Sequence, residues 1–152
     1  VSQKHPDWIL RIYSDGMREK LQKQIDTLDI GKTCILEHSV RNIIEKYYES
    51  SIFVLSSRFE GFGMVITEAM VCGVPPIAFA CPCGPRDIIE NNIDGILVKN
   101  GDVIGLADKI CFLIENESVR KEMGIRARHN VERFKIENIA LQWKNLFESV
   151  TN

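Results

Sequence analysis

The segment IFVLSSRFEGFGMVITEAMVCGVPPIAFA, residues 52–80, decides the fold of this chain. It begins with a uniformly apolar run over 52–55, which is typical of a strand buried on both faces. A loop rich in glycine and serine follows, and then a pattern that predicts a helix over 64–72. Gly73 ends that helix before a second apolar run over 74–80. Strand, helix and strand in this order predict two parallel strands joined by a right-handed crossover.

The same alternation extends to both sides of this segment. Apolar runs predict further strands over 8–13, 33–36 and 95–98. Helical periodicity predicts helices over 17–28, 40–48, 86–90, 118–131 and 136–147, and a further helix that Asp102 caps. The chain is therefore predicted to be an α/β protein, a Rossmann-like three-layer α/β/α domain with a doubly wound parallel sheet. Since ligands of such sheets bind outside the carboxyl ends of the strands, we expect the loop Glu60–Gly63 at that edge, with Gly63 or Met64 opening a helix.

The bulk composition excludes several classes of protein. With 152 residues, 45% of them apolar, the chain is long enough for one α/β core and we predict a single domain. A net charge of -2 provides no basic field for nucleic acid. No apolar run approaches the roughly 20 residues that cross a bilayer. Five cysteines, an odd count, favour a reducing, cytoplasmic location and reduced, metal-free thiols, because the lone Cys81-Pro82-Cys83 lacks the second pair that zinc needs.

Two carboxylates flank the glycine loop of the central segment. The start of the following helix presents unpaired N–H groups, and the glycines permit close backbone approach, so a phosphate is the expected guest. Glu60 and Glu68 would repel a phosphate, and we therefore expect them to serve groups on either side of it. An ionised carboxylate accepts hydrogen bonds from vicinal hydroxyls, as on a ribose and a hexose. The arrangement indicates a nucleoside diphosphate sugar as the ligand.

These residues resemble a known family. EGFGMVITEAM followed by CGVP is similar to the EX7E motif of glycosyltransferase family 4 (glycosyl transferases group 1), retaining enzymes of the two-Rossmann GT-B fold. The resemblance covers nearly the whole chain, and the stretches that carry it are HPDWILRIYSDG, NIIEKYYESSIFVLSS and CPCGPRDIIENNIDGILVKNGD. It implies that residues 1–152 are the carboxy-terminal, donor-binding half of such an enzyme, without the amino-terminal acceptor-binding domain and the first strand of this half.

The resemblance also implies a role for individual residues. Glu60 is expected to be the catalytic residue that contacts the hydroxyls of the transferred sugar, and Glu68 to hold the ribose. The resemblance places the amides of five residues on the sugar and diphosphate: Gly61, Phe62, Gly63, Met64 and Val65. The turn at His38, Ser39 and Val40 resembles the segment that meets the nucleobase, although His38 and Ser14 stand where the family has glycine. Arg58 and Arg86 are the nearest basic residues and are candidates both for phosphate binding and for structural ion pairs.

The predicted function is transfer of a sugar from a nucleotide-diphosphate-sugar donor to a glycan or lipid-linked acceptor in glycan or polysaccharide biosynthesis. Retention of configuration follows from the resemblance alone, and no metal or other cofactor is expected. The chain by itself is expected to be inactive, and the full-length enzyme to be cytoplasmic or peripheral at the inner face of the membrane. Two alternatives stay open: a nucleotide-sugar epimerase of the same architecture, which would act without an acceptor, and a non-catalytic α/β interaction domain, which would bind no nucleotide.

Overall fold

The structure is a computed structural model and describes residues 1–151 of the chain. Within them, strands and helices alternate as the sequence predicts. The elements in chain order are β1 (Leu10–Tyr13), α1 (Arg18–Thr27), β2 (Cys34–Glu37), α2 (Ile43–Tyr48), β3 (Phe53–Leu55), α3 (Met64–Val71), β4 (Pro76–Phe79), α4 (Pro85–Ile88), β5 (Ile96–Val98), α5 (Val103–Glu115), α6 (Glu117–Asn130), a 3₁₀ helix (Val131–Phe134) and α7 (Ile136–Val150).

The chain divides into two compact units, residues 1–45 and residues 46–152. In the first unit, β1 and β2 pair in parallel, with Leu10 opposite Cys34. In the second unit, β3, β4 and β5 form a parallel sheet in that order. Parallel sheets with flanking helices confirm the predicted Rossmann-like α/β class. The single domain expected for residues 1–152 stays a prediction.

Both faces of the second sheet are covered, which explains the apolar character of its strands. β4 is buried along its whole length. Ile77 and Phe79 pack in a cluster with residues of α5 and α6, whereas Ala78 packs with residues of α3 on the opposite face. Because successive side chains of a strand point to opposite faces, a strand between two helical layers needs apolar residues at every position. The second unit is therefore built of helix, sheet and helix layers.

The ends of the helices follow local chemistry. Asp102 is the N-cap of α5, and its side chain accepts a hydrogen bond from the Gly105 amide at 2.9 Å, as predicted. α2 begins at Ile43, three residues later than expected, and the Asn42 side-chain amide just before it donates a hydrogen bond to the Glu45 carboxylate at 2.7 Å. α7 continues to Val150 because neither glycine nor proline interrupts it after 147.

The glycine loop lies where the sequence places it. β3 ends at Leu55, residues 56–63 form the loop at its carboxyl end, and α3 begins at Met64. The predicted position of the loop Glu60–Gly63 is thereby confirmed. Of the helices within residues 1–151, none has both the length and the apolar character that crossing a membrane requires.

Candidate functional site

Gly63 turns the chain into α3. Its φ of 89° lies in the left-handed region, which favours glycine, and it is the N-cap of the helix without any side-chain cap. The amide of Ile66 bonds back to the Gly63 carbonyl at 2.9 Å, while Met64 and Val65 stand exposed at the first two helical positions. Amides at these positions have no partner inside a helix, so they face solvent or a ligand. The start of α3 is thus a polar, positively polarised surface.

Gly84 holds a second loop against the first. Its φ is 78°, and a Cβ built on it would lie 2.8 Å from the carbonyl carbon of Phe62. Its amide donates to the Asp87 carboxylate at 3.0 Å, which fixes the start of α4. The loop before α4 therefore supports the backbone of the glycine loop directly. Sequence reasoning missed Gly84, although the Gly-Pro pair before a short helix indicates a fixed turn.

Gly61 differs from both of these glycines. It is exposed, its φ lies outside the left-handed region, and a Cβ on it would meet no atom of the described chain within 4 Å. The fold itself would thus accept a side chain at this position. The absent side chain leaves the backbone of the loop open to close approach from outside.

The two carboxylates of the motif have different surroundings. Glu60 is half-buried, and its side chain makes no hydrogen bond or ion pair with any residue in 1–151. Glu68, in the second turn of α3, is also half-buried and accepts a hydrogen bond from the Tyr47 hydroxyl at 3.2 Å. Burial, and next the charge of Glu68, raise the pKa of Tyr47 far above its usual range, so the hydroxyl remains a donor. Sequence reasoning missed Tyr47, since nothing in its local pattern indicates a partner 21 residues away.

The candidate phosphate-binding arginines do not form the structural ion pairs that we considered for them, as far as residues 1–151 show. Arg58 is exposed. Its backbone carbonyl accepts a hydrogen bond from the Asn100 side-chain amide at 3.1 Å. Arg86 is exposed as well and donates through Nε to the Ala80 carbonyl at 2.9 Å. The remaining guanidinium N–H groups of both residues keep their capacity to donate. Their binding to phosphate stays a prediction.

In the first unit, the turn at His38, Ser39 and Val40 follows β2 and is exposed. His38 Nδ1 lies 2.8 Å from Asp15 Oδ1, which belongs to the turn after β1. Hydrogen bonds from Ser39, and next from His38, lower the pKa of Asp15. The predicted nucleobase turn is therefore tied to the turn at the end of the neighbouring strand.

Arg18 stabilises the same edge of the first sheet. Its guanidinium donates to the carbonyls of Ser14 and Glu37 at 2.9 and 2.6 Å, and to that of Leu36 at 3.3 Å. These carbonyls lie at the ends of β1 and β2, so one side chain forms hydrogen bonds with the ends of both strands. The sequence pattern predicted only that Arg18 lies on the polar face of α1, and its hydrogen bonds to the strand ends were missed.

The cysteines and other metal-ligand residue types are scattered. All five cysteines are free thiols, and buried Cys81 lies with its Sγ 3.5 Å from the Cys83 carbonyl. Among the described residues, no three His, Cys, Asp or Glu side chains come together in a way that could hold a metal ion.

The layered parallel sheet, with a glycine loop at its carboxyl edge before α3, defines the second unit as a Rossmann-like α/β module. The family is shown by comparison: residues 1–130 match the profile of the glycosyl transferases group 1, and the chain belongs to that family.

Named relatives extend this assignment. The chain is 33% identical over 140 residues to a poly(ribitol-phosphate) alpha-N-acetylglucosaminyltransferase of Staphylococcus aureus, covering 91% of this chain and 28% of that protein. It is also 33% identical over 150 residues to an exopolysaccharide phosphotransferase of Streptomyces coelicolor, covering 97% of this chain and 16% of that protein. Among solved structures, a variant of S. aureus TarM in complex with Fondaparinux, alpha-GlcNAc-glycerol and UDP matches with a TM-score of 0.90 at 30% identity, covering 96% of this chain and 30% of TarM.

The chain spans less than a third of the length of each of these three proteins. The family assignment supports a glycosyltransferase, and the epimerase alternative finds no support in these relatives.

Proposed function

We propose that the protein transfers a glycosyl group from a nucleoside-diphosphate-sugar donor to a glycan or lipid-linked acceptor, in glycan or polysaccharide biosynthesis. Membership of the group 1 family supports the reaction type. The relative named as an alpha-N-acetylglucosaminyltransferase and the UDP complex of TarM support uridine diphosphate as the leaving group and N-acetylglucosamine as a sugar to test first.

One observation carries this proposal: an unpartnered, half-buried carboxylate and a second carboxylate flank the open amides at the start of α3. Glu60 has no partner within residues 1–151, and Glu68 keeps acceptor capacity beside its bond from Tyr47. A ligand with a central diphosphate and hydroxyls on both sides matches this order of donors and acceptors. Glu60 is assigned to the hydroxyls of the transferred sugar, and Glu68 to those of the ribose.

The proposed mechanism relies on electrostatics. As the glycosidic bond to the diphosphate breaks, positive charge develops on the sugar ring and negative charge on the leaving group. The amides of the segment 61–65, aimed at the diphosphate, stabilise the negative charge without reorganising, with Arg58 and Arg86 as further donors. We assign the carboxylate of Glu60 to the side of the sugar. We include retention of configuration, assignment to family 4 within the GT-B architecture and independence of metal ions in the proposal.

Titration calorimetry of the full-length protein with uridine diphosphate tests the site. Charge-assisted hydrogen bonds contribute about 1.5–3 kcal/mol each, so Glu68→Ala should weaken binding about tenfold or more. Glu19→Ala removes an exposed carboxylate from α1 and serves as the matched control, which should bind like the wild type. Equal affinity of the wild type and Glu68→Ala would remove Glu68 from the site, and the absence of any nucleotide binding by the wild type would refute the proposed function.

A further inference from the structure

Phe59 is the most exposed of the large apolar side chains within residues 1–151. Its exposed fraction is 83%, although it directly precedes the half-buried Glu60. It belongs to neither hydrophobic cluster of the second unit and makes no ring contact with a described residue. Within residues 1–151, no packing interaction therefore accounts for a phenylalanine at this position.

A second aromatic ring of the same loop does contact the fold, although Phe62 is itself 43% exposed. Phe62, three residues later, packs its ring edge-to-face on that of Phe134, with centroids 5.5 Å apart. Burying a phenylalanine side chain removes a large apolar surface from water, which is stabilising. The outward ring of Phe59 does not gain this stabilisation in the fold, and a ligand that covers the ring would provide it.

The backbone around Phe59 is held on both sides. The preceding carbonyl, that of Arg58, accepts the hydrogen bond from Asn100 at 3.1 Å. Beyond Glu60, Gly63 fixes the turn into α3, and Gly84 packs on the backbone of Phe62. Phe59 thus extends outward from an anchored loop, and it directly precedes Glu60 in the sequence.

An exposed aromatic ring and an unpartnered carboxylate on adjacent residues match the chemistry of a pyranose ring. A pyranose has hydroxyls, which a carboxylate accepts, and an apolar face of C–H groups, which lies well on an aromatic ring. A lipid chain would use the ring and leave the half-buried carboxylate unsatisfied, which is costly. The combination therefore favours a sugar over a purely apolar ligand.

We propose that the ring of Phe59 is a stacking platform for a pyranose whose hydroxyls bind Glu60. This inference rests on the proposed function. The pyranose is either the sugar of the nucleotide donor or the terminal sugar of the acceptor. Both have the same chemistry at the ring, and the experiment distinguishes them.

The test compares Phe59→Ala and Phe59→Tyr in the full-length protein by titration calorimetry. The ligands are uridine diphosphate, UDP-N-acetylglucosamine, and methyl N-acetyl-α-glucosaminide in the presence of uridine diphosphate. We expect Phe59→Ala to raise the Kd of a pyranose ligand about 5- to 10-fold and to leave that of uridine diphosphate unchanged. Phe59→Tyr keeps the aromatic face and should stay within about twofold of the wild type. Phe112→Ala, which removes another partly exposed ring from α5, is the control.

The outcomes distinguish a donor sugar from an acceptor sugar on Phe59. They also distinguish failure of this inference from failure of the proposed function. A loss confined to UDP-N-acetylglucosamine assigns the platform to the donor sugar, and a loss confined to the glycoside assigns it to the acceptor. Affinities of Phe59→Ala that equal those of the wild type for both pyranose ligands overturn the inference. So does a lower melting temperature of Phe59→Ala without ligand, because the ring would then pack against protein. Failure of the wild type to bind uridine diphosphate refutes the proposed function instead.

Discussion

At the scale of single residues, the two glutamates of the motif are expected to differ in what they bind. Glu60 has no partner within the described chain, so Glu60→Ala should leave the free energy of unfolding nearly unchanged. It should also leave the Kd of uridine diphosphate unchanged and weaken UDP-N-acetylglucosamine about tenfold, because its proposed partners are hydroxyls of the transferred sugar. Calorimetry with both ligands measures the difference. Equal losses for the two ligands would mean that Glu60 supports the loop and does not contact the sugar.

Alanine substitutions of two glycines near the same loop should differ, one weakening nucleotide binding and the other lowering stability. The methyl group that Gly61→Ala adds would contact no atom of residues 1–151, so the free energy of unfolding of this variant should equal that of the wild type. Uridine diphosphate should bind more weakly, because the methyl group blocks access to the backbone. Gly84→Ala should instead lower the free energy of unfolding by about 1–3 kcal/mol, because its φ is positive and its Cβ would press on the Phe62 carbonyl. Denaturant unfolding and calorimetry on both variants test this. Normal nucleotide affinity of Gly61→Ala would show that the ligand does not approach there.

At the scale of elements, Asp94 connects the turn before β5 to the end of α6 and the 3₁₀ helix. It is fully buried, accepts hydrogen bonds from the Glu90 amide at 2.7 Å and from the Asn130 side chain at 3.2 Å, and lies 3.9 Å from the Arg133 guanidinium. Burial raises its pKa despite these contacts. An acid whose pKa is higher in the folded state stabilises the fold below its unfolded pKa and loses that contribution as pH rises through the folded pKa.

Asp94→Asn isolates this effect. Because the variant keeps every other carboxylate, the unfolding free energy of the wild type minus that of Asp94→Asn should fall as pH rises from the ordinary aspartate value of 3.8. Exposed carboxylates such as Glu117 and Glu132, whose pKa values are lowered by Lys121 and Lys135, act in the opposite direction and cancel in the difference. Denaturant unfolding from pH 3 to pH 7 measures it. A difference that rises with pH would mean that Arg133 outweighs the burial of Asp94.

The elements themselves were predictable, whereas the contacts between them were not. Apolar runs such as IFVL and helical periodicity are local, and they predicted the five strands found within residues 1–151 and the start of α3. Two contacts join residues about 20 apart in sequence, which no local pattern brings together. They are the hydrogen bond from the Tyr47 hydroxyl to Glu68 and the close packing of Gly84 on the Phe62 backbone. The glutamates were recognisable because the loop and the helix that hold them lie in one continuous segment.

At the scale of the whole molecule, the net charge limits how the proposed ligand can be bound. A net charge of -2 gives no general attraction for polyanions, so we expect the proposed diphosphate to be bound locally, by oriented amides and the candidate arginines. The division into two compact units was not predictable from composition, because both units have the same alternation of strands and helices. Periodicity reports the elements and does not report how tightly neighbouring groups of elements contact each other.

The last prediction concerns residues 1–152 as an isolated chain, for which we expect nucleotide binding without transfer. The chain keeps Glu68 and the amides at the start of α3, which are the groups assigned to the ribose and diphosphate. The relatives named as transferases are more than three times as long, since the chain spans 28% of one and 16% of the other. Because transfer requires the acceptor to be held beside Glu60 in the right orientation, a chain that binds only the donor gains no rate enhancement from proximity.

Calorimetry should detect binding of uridine diphosphate to the isolated chain, and the Glu68→Ala variant should bind it more weakly. Release of uridine diphosphate from UDP-N-acetylglucosamine, with and without methyl N-acetyl-α-glucosaminide, should stay at the rate of a protein-free control. Transfer to the glycoside by the isolated chain would show that the acceptor site lies within these 152 residues.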